Sequence, residues 1–214
     1  MAVILLIRHG ENDWVGKRLA GRMPDVHLNK KGQDQASQLA EILKTLPFKA
    51  IYSSPLERAM ETAQPLAQLK DMEISICANL SEINFGDWQG KTIKHLRRLK
   101  LWKTVQNNPS QMQFPNGESF VGAQNRLVEC IKQISESHEE TDLIACFSHS
   151  DSIRLLVSYY LDMPLDSFQR ININTASISS LALMKDHISV PFINLIDIRQ
   201  FLTQFTEMEK KTSK

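Results

Sequence analysis

Two histidines in this chain stand where chemistry is commonly done. Arg8-His9-Gly10 follows the apolar run Ala2–Ile7, and Ser148-His149-Ser150 follows DLIACF, residues 142–147. Both runs are short and apolar, so each reads as a buried strand that halts on a histidine. In an open parallel sheet, ligands bind beyond the carboxyl ends of the strands. Ser150, Asp151 and Ser152 follow His149, and Ile153, Leu156, Val157 and Tyr160 then recur at helical spacing. A helix therefore starts at once, and its free N–H groups attract anions. A third strand end, Ala50-Ile51-Tyr52-Ser53, runs into Ser54-Pro55-Leu56-Glu57-Arg58. Two histidines and two arginines thus gather at three strand ends with few acids beside them. Such a set suits an anion, and phosphate fits the bidentate fork of arginine.

The elements that must hold these residues follow from periodicity and punctuation. Residues 11–31 read as a long loop broken by Gly16, Gly21 and Pro24. Gly32–Leu46 is a helix by its Ala36, Leu39, Ala40 and Leu43 stripe. A second helix starts at Ser54 as N-cap, with Pro55 at the first position and Glu57 closing a capping box. Glu73–Ile76 is a third strand, Ile93–Trp102 a helix, and Leu127, Ile131 and Ile134 mark another. The segment from Ser177 reads as further strands, antiparallel to the rest. Strands alternating with helices of about a dozen residues predict an α/β fold with a mainly parallel sheet covered on both faces, a three-layer α/β/α sandwich. One domain over 1–205 is expected, with an insertion at about 85–125 and a polar tail at 206–214.

Five blocks in order carry a resemblance. LLIRHGENDW, GRMPDVHLNKKGQDQA, IYSSPLERAMETA, LSEINFGDWQGK and FSHSDSIR are together similar to the histidine phosphatase superfamily, the phosphoglycerate mutase-like family. The resemblance implies the phosphoglycerate mutase-like fold and a metal-independent phosphomonoester hydrolase with a phosphohistidine intermediate. It makes His9 the nucleophile, with Arg8, Arg58 and His149 holding the phosphoryl oxygens. Glu82 becomes the proton donor to the leaving oxygen and later the base for water. Glu11 and Glu118 are assigned supporting places, Glu118 through a P-x-G-E-S segment in PNGESF. Val15 stands where many members have an Asn that touches phosphate, so Asn12, or the backbone of Gly16, is left to make that contact. Ser150 replaces a frequent Gly, and its backbone N–H is a further candidate donor.

A phosphomutase of the phosphoglycerate mutase type is the alternative, and a non-catalytic phosphate-binding protein a weaker one. The glycolytic mutases of the family have an extra segment before P-x-G-E-S that this chain lacks, which favours the phosphatase.

The bulk numbers narrow the partners. The chain has 214 residues, 25 Lys+Arg against 24 Asp+Glu, and a net charge of +1. That balance gives no bulk attraction to nucleic acid or membrane, and no apolar stretch approaches the roughly 20 residues of a membrane span. The N-terminus has no basic region or small-residue cleavage site and reads as a strand, not a signal peptide. Cys77, Cys130 and Cys146 are odd in number and widely spaced, fitting neither a disulfide framework nor a zinc site. His27, His95, His138 and His187 are scattered, so no metal and no cofactor is expected. The partner is a small phosphorylated metabolite, the setting the cytoplasm, and a homodimer through an edge strand or helix remains open.

One run has two readings. Lys91, Lys94, Arg97, Arg98, Lys100 and Lys103 carry no acid among them. They either steer an anionic substrate or form the solvated face of a helix that turns Leu96, Leu99 and Trp102 inward. Phe85, Trp88 and Phe114 are candidates for an apolar pocket wall.

Overall fold

The computed structural model describes residues 2–185 and 187–196. The polar tail expected at 206–214, and the domain end at 205, lie outside the described residues. The first strand, β1 (Val3–Arg8), is followed by a long loop and then α1 (Lys30–Leu43). β2 (Phe48–Ser53), α2 (Glu57–Lys70) and β3 (Ile74–Ile76) come next. Two short helices, α3 (Ile93–Leu96) and α4 (Leu101–Asn107), precede the long α5 (Phe120–Glu136). β4 (Leu143–Ser148), α6 (Ser150–Tyr160), β5 (Ile178–Leu183) and β6 (Ile188–Ser189) complete the order.

The six strands form one sheet in the order β3-β2-β4-β1-β5-β6. β3, β2, β4 and β1 run parallel, and β5 lies antiparallel to β1. Side-chain alternation divides the core into two faces. Ile4 and Leu6 of β1, with Ile144 and Cys146 of β4, join the α5 and α6 side. Leu5 and Ile7, with Ala145 and Phe147, join the α1 and α2 side. β4 is buried at all six positions, as a central strand covered on both faces must be. The result is the three-layer α/β/α sandwich.

Two local expectations differ. α1 starts at Lys30, because the Asn29 side chain accepts the Gly32 N–H at 2.9 Å and caps the helix there. It ends at Leu43, and Leu46 is buried after the helix has finished. The helix expected over 93–102 is broken into α3 and α4. His95 and Leu96 each accept an N–H three residues on, from Arg98 and Leu99, so the chain tightens at 97–100. Like charges with no acid four residues away favour such a break. The six basic side chains of the run are exposed. Leu96 is buried, with Leu99 and Trp102 packed against the core, so the solvated-face reading describes this segment.

Candidate functional site

Sheet register brings the two histidines together. Arg8 of β1 pairs with Ser148 of β4 in the parallel ladder. The next residue on each strand is histidine, and the His9 N–H donates to Ser148 O at 3.0 Å. The rings lie 5.3 Å apart between centroids, tilted by 58°. β2 ends alongside, where the Ser54 N–H donates to Phe147 O at 3.0 Å.

The turn after His9 is clamped against two helices. The Gly10 N–H donates to Thr62 Oγ1 of α2 at 2.9 Å, and Thr62 passes its own proton to Arg58 O at 2.6 Å. On the other side Gly32 of α1 packs so tightly that a Cβ there would lie 2.0 Å from Glu11 O. Only glycine fits that approach.

His9 is 5 % exposed, and its Nδ1 lies 2.7 Å from Gly10 O. A carbonyl only accepts, so Nδ1 carries the proton and Nε2 keeps its lone pair. Burial, then the charges of Arg58 and Arg8, push the His9 pKa well below the usual imidazole value. The ring is therefore neutral at neutral pH.

Around it stand two guanidinium groups with donors to spare. Arg8 gives Nη1 to Ile173 O at 2.6 Å and keeps a buried Nε with no partner. Arg58, 1 % exposed, gives Nη2 to Gly21 O at 2.6 Å, while its Nε and Nη1 are buried without one. Burial lowers the Arg58 pKa to about 10, so it stays charged. Buried donors without acceptors are rare in proteins and mark a place for a ligand.

Glu82 is buried at 8 % exposure. Its carboxylate accepts from Ile83 N at 3.1 Å, Ser152 N at 3.2 Å and Ser152 Oγ at 3.0 Å. It thus takes an N–H of the first turn of α6 that sequence would offer to a substrate anion. Burial, then the neighbouring Asp151 charge, raise its pKa against those hydrogen bonds and Arg58. The acid is poised toward protonation.

His149 is fully buried and lies behind the cavity wall. Its Nε2 is 2.8 Å from Ser54 Oγ, and its Nδ1 has no partner. The capping box expected at Ser54 is not formed. α2 begins at Glu57 with Leu56 as its N-cap and no side-chain cap; Ser54 lies before the helix, where its Oγ takes the Leu56 N–H at 3.4 Å and meets His149. Glu57 instead accepts the Asp25 N–H at 3.3 Å.

The cavity measures about 370 Å³. Arg8, His9, Asn12, Arg58, Glu82 and Ser150 all line it. Asn12 is 4 % exposed and spends its Oδ1 on the Trp14 N–H at 2.9 Å. Val15 and Gly16 also line the cavity. Glu11 stands apart, bonded to Lys31 Nζ at 2.6 Å.

Sequence reasoning missed Arg22, Ser54, Thr62 and Arg154. Arg22 Nε donates to Glu82 O at 2.8 Å, and its Nη2 bonds both Glu118 oxygens at 2.9 Å. Glu118 also holds Arg126 and the Asn84 N–H. It therefore supports arginines behind the acid, not Arg8 or Arg58. All four sit inside the blocks that carry the resemblance, Arg22 in GRMPDV, Ser54 and Thr62 in IYSSPLERAMETA and Arg154 in FSHSDSIR, which was the available signal. Among the described residues no group of three or more His, Cys, Asp or Glu could hold a metal, and no helix is long and apolar enough to cross a membrane.

Comparison with known proteins gives the family and the fold. Residues 4–196 match the model of the histidine phosphatase superfamily (branch 1). Phosphoserine phosphatase 1 of Hydrogenobacter thermophilus is 28% identical over 84% of this chain and 85% of its own. Phosphoglycerate mutase-like protein 4 of Arabidopsis thaliana is 32% identical over 72% and 69%. A crystal structure of a phosphoserine phosphatase mutant from Entamoeba histolytica, in complex with phosphoserine, superposes with a TM-score of 0.83 at 28% identity, covering 92% of this chain and 98% of that one.

Proposed function

The chain belongs to the histidine phosphatase superfamily, branch 1, and on that premise we propose that it hydrolyses phosphomonoesters of a small anionic metabolite through a phosphohistidine. The carrying observation is the His9 ring, neutral and tautomer-locked by Gly10 O, beside two buried arginines that keep unused donors.

The phosphoryl group enters between Arg8 and Arg58, whose free N–H groups take its equatorial oxygens. His9 Nε2 attacks phosphorus, the P–N bond forms and the ester P–O bond breaks. Glu82 gives its proton to the leaving alcohol oxygen. The phosphorylated ring is cationic, which makes its P–N bond easy to break. Glu82, now ionised, takes a proton from water, the oxygen attacks phosphorus, and His9 is released with inorganic phosphate. The sum is ester plus water giving alcohol plus phosphate. His149, with Ser54 donating to its Nε2, keeps its unpartnered Nδ1–H beside the His9 ring, and in this scheme a phosphoryl oxygen that reaches past the cavity wall takes it. Asn12 and the Ser150 N–H are the outer contacts in this scheme. No metal or cofactor takes part, and the cytoplasm is its setting.

The test is hydrolysis of 4-nitrophenyl phosphate in excess EDTA. Metal-free turnover that His9→Ala abolishes supports the reading, and turnover surviving in that variant sinks it. The 32% identical mutase-like relative supports a second reading, phosphomutase. Incubation with 3-phosphoglycerate separates them, since a mutase yields the 2-isomer and a phosphatase yields free phosphate.

A further inference from the structure

A second cavity of about 280 Å³ adjoins the first, and Leu19, Phe85, Ile93, Asp151 and Arg154 line both. At this rim Arg154 pairs with Asp151 at 2.9 Å and keeps a buried Nε without a partner. Beyond the rim the wall turns aromatic. Trp88, Phe114 and Phe120 line it and are at most 3% exposed. Trp102 is half-buried and stacks on Trp88, with centroids 6.3 Å apart and planes within 16°. Phe114 meets Phe85, Trp88 and Phe120 in edge contacts of 5.0–5.3 Å. Interlocked rings of this kind make a stiff wall, not one that collapses into the space beside it.

We propose that this annex receives the alcohol portion of the substrate, and that the preferred substrate is the phosphate ester of an alcohol bearing a planar apolar ring. The inference rests on the phosphomonoesterase reading and names its substrate class. Continuity with the phosphate cavity fixes the occupant, because whatever is esterified to a phosphate at His9 has the shared rim as its neighbour. The order of chemistry along the path is charged, then polar, then aromatic, which matches a ligand built the same way. A small polar alcohol would leave the partly exposed apolar lining of the annex, Leu19, Ile93 and Trp102, facing water, and a ring seated there removes that surface from solvent.

The experiment compares two ligands that differ only by the ring. Propylphosphonate and 3-phenylpropylphosphonate, which cannot be hydrolysed, are titrated by calorimetry into the full chain, its Trp102→Ala variant and its Trp102→Leu variant, which keeps an apolar side chain without the indole. The phenyl ligand should bind at least tenfold more tightly to the wild type, and both variants should shrink that ratio at least threefold. Equal affinities in the wild type, or an unchanged ratio in both variants, would overturn the annex. The corresponding phosphate esters, whose leaving alcohols are alike in acidity, report turnover separately. A preserved binding ratio without turnover of either ester or of 4-nitrophenyl phosphate leaves the annex standing and sinks the hydrolase. Turnover of both esters with equal affinities does the reverse.

Discussion

His149 Nε2 and Ser54 Oγ lie 2.8 Å apart across two neighbouring strand ends. The Ser54 hydroxyl, just ahead of α2, thus holds a buried imidazole. In Ser54→Ala the His149 ring loses that partner and is free to take the other tautomer. Loss of about one hydrogen bond predicts a fall of about tenfold in kcat/KM, with circular dichroism unchanged. An unaltered rate in steady-state kinetics would show that Ser54 does not orient His149.

In the proposed mechanism Glu82 sets the alkaline side of the pH profile. Its pKa is raised by burial and Asp151, and the first step of that mechanism uses its proton. kcat/KM should therefore fall as pH rises through that elevated value, while the acid limb, set by His9, lies well below the ordinary imidazole range. Glu82→Gln should lose about 10²–10⁴-fold in rate for alkyl phosphates, and less for 4-nitrophenyl phosphate, whose leaving group needs no proton. Stability moves the other way. A carboxyl with a raised folded pKa contributes stability below its unfolded pKa and loses it as pH rises through the folded one. Urea midpoints should show the Gln variant gaining on the wild type at pH 8 and matching it at pH 4.

Arg58 is a cation kept almost out of water, and the proposed function makes it a phosphate ligand. Its Nε and Nη1 have no partner at 1 % exposure, a cost that an anion would remove. In phosphate-free buffer Arg58→Met should raise Tm by roughly 2–4 °C, the shift of about 1 kcal/mol in a domain of this size. Added phosphate should raise the Tm of the wild type and not of the variant. Loss of a phosphoryl donor should cost about 10²–10³-fold in kcat/KM. Scanning calorimetry with and without phosphate checks the pair of effects; a phosphate-induced rise retained by the variant would argue against Arg58 as a phosphate ligand.

Glu118 ties the loop after Glu82 to two arginines and to the Asn84 N–H. Burial would raise its pKa, but Arg126 and the Asn84 N–H hold it below the usual carboxylate value. The stability it gives is present above its unfolded pKa and lost as pH falls through the folded one. Because the cluster is partly exposed, Glu118→Ala should cost about 1–3 kcal/mol at pH 7 and much less near pH 3. Denaturant melts at the two values decide it.

The parts of the site that sequence revealed are those written at strand ends. Arg8-His9 and His149 each follow an apolar run that reads as a buried strand, which placed them at strand ends; that the two strands are neighbours is a property of the sheet order. The partners of those residues were hidden because they are long-range. Ser54 and His149 are 95 residues apart and Arg22 and Glu118 are 96 apart, and no local period encodes such pairs. The capping box misled because α2 starts at Glu57 with Leu56 as its N-cap, so Ser54 lies ahead of the helix, and its contact with His149 is not written in local spacing. Ile93–Trp102 misled differently. Its apolar stripe has helical spacing, yet the unpaired positive charges between the stripes break the helix at 97–100.

The ladder between β1 and β4 carries a last consequence. Adjacent strands are held about 4.8 Å apart by their backbone hydrogen bonds, and the two histidine rings sit 5.3 Å apart one residue past that ladder. The gauge of the reacting centre is thus a backbone constant. The segments 11–29 and 84–119 can change sequence, and with it the choice of ester, while the distance between His9 and His149 stays where the sheet puts it.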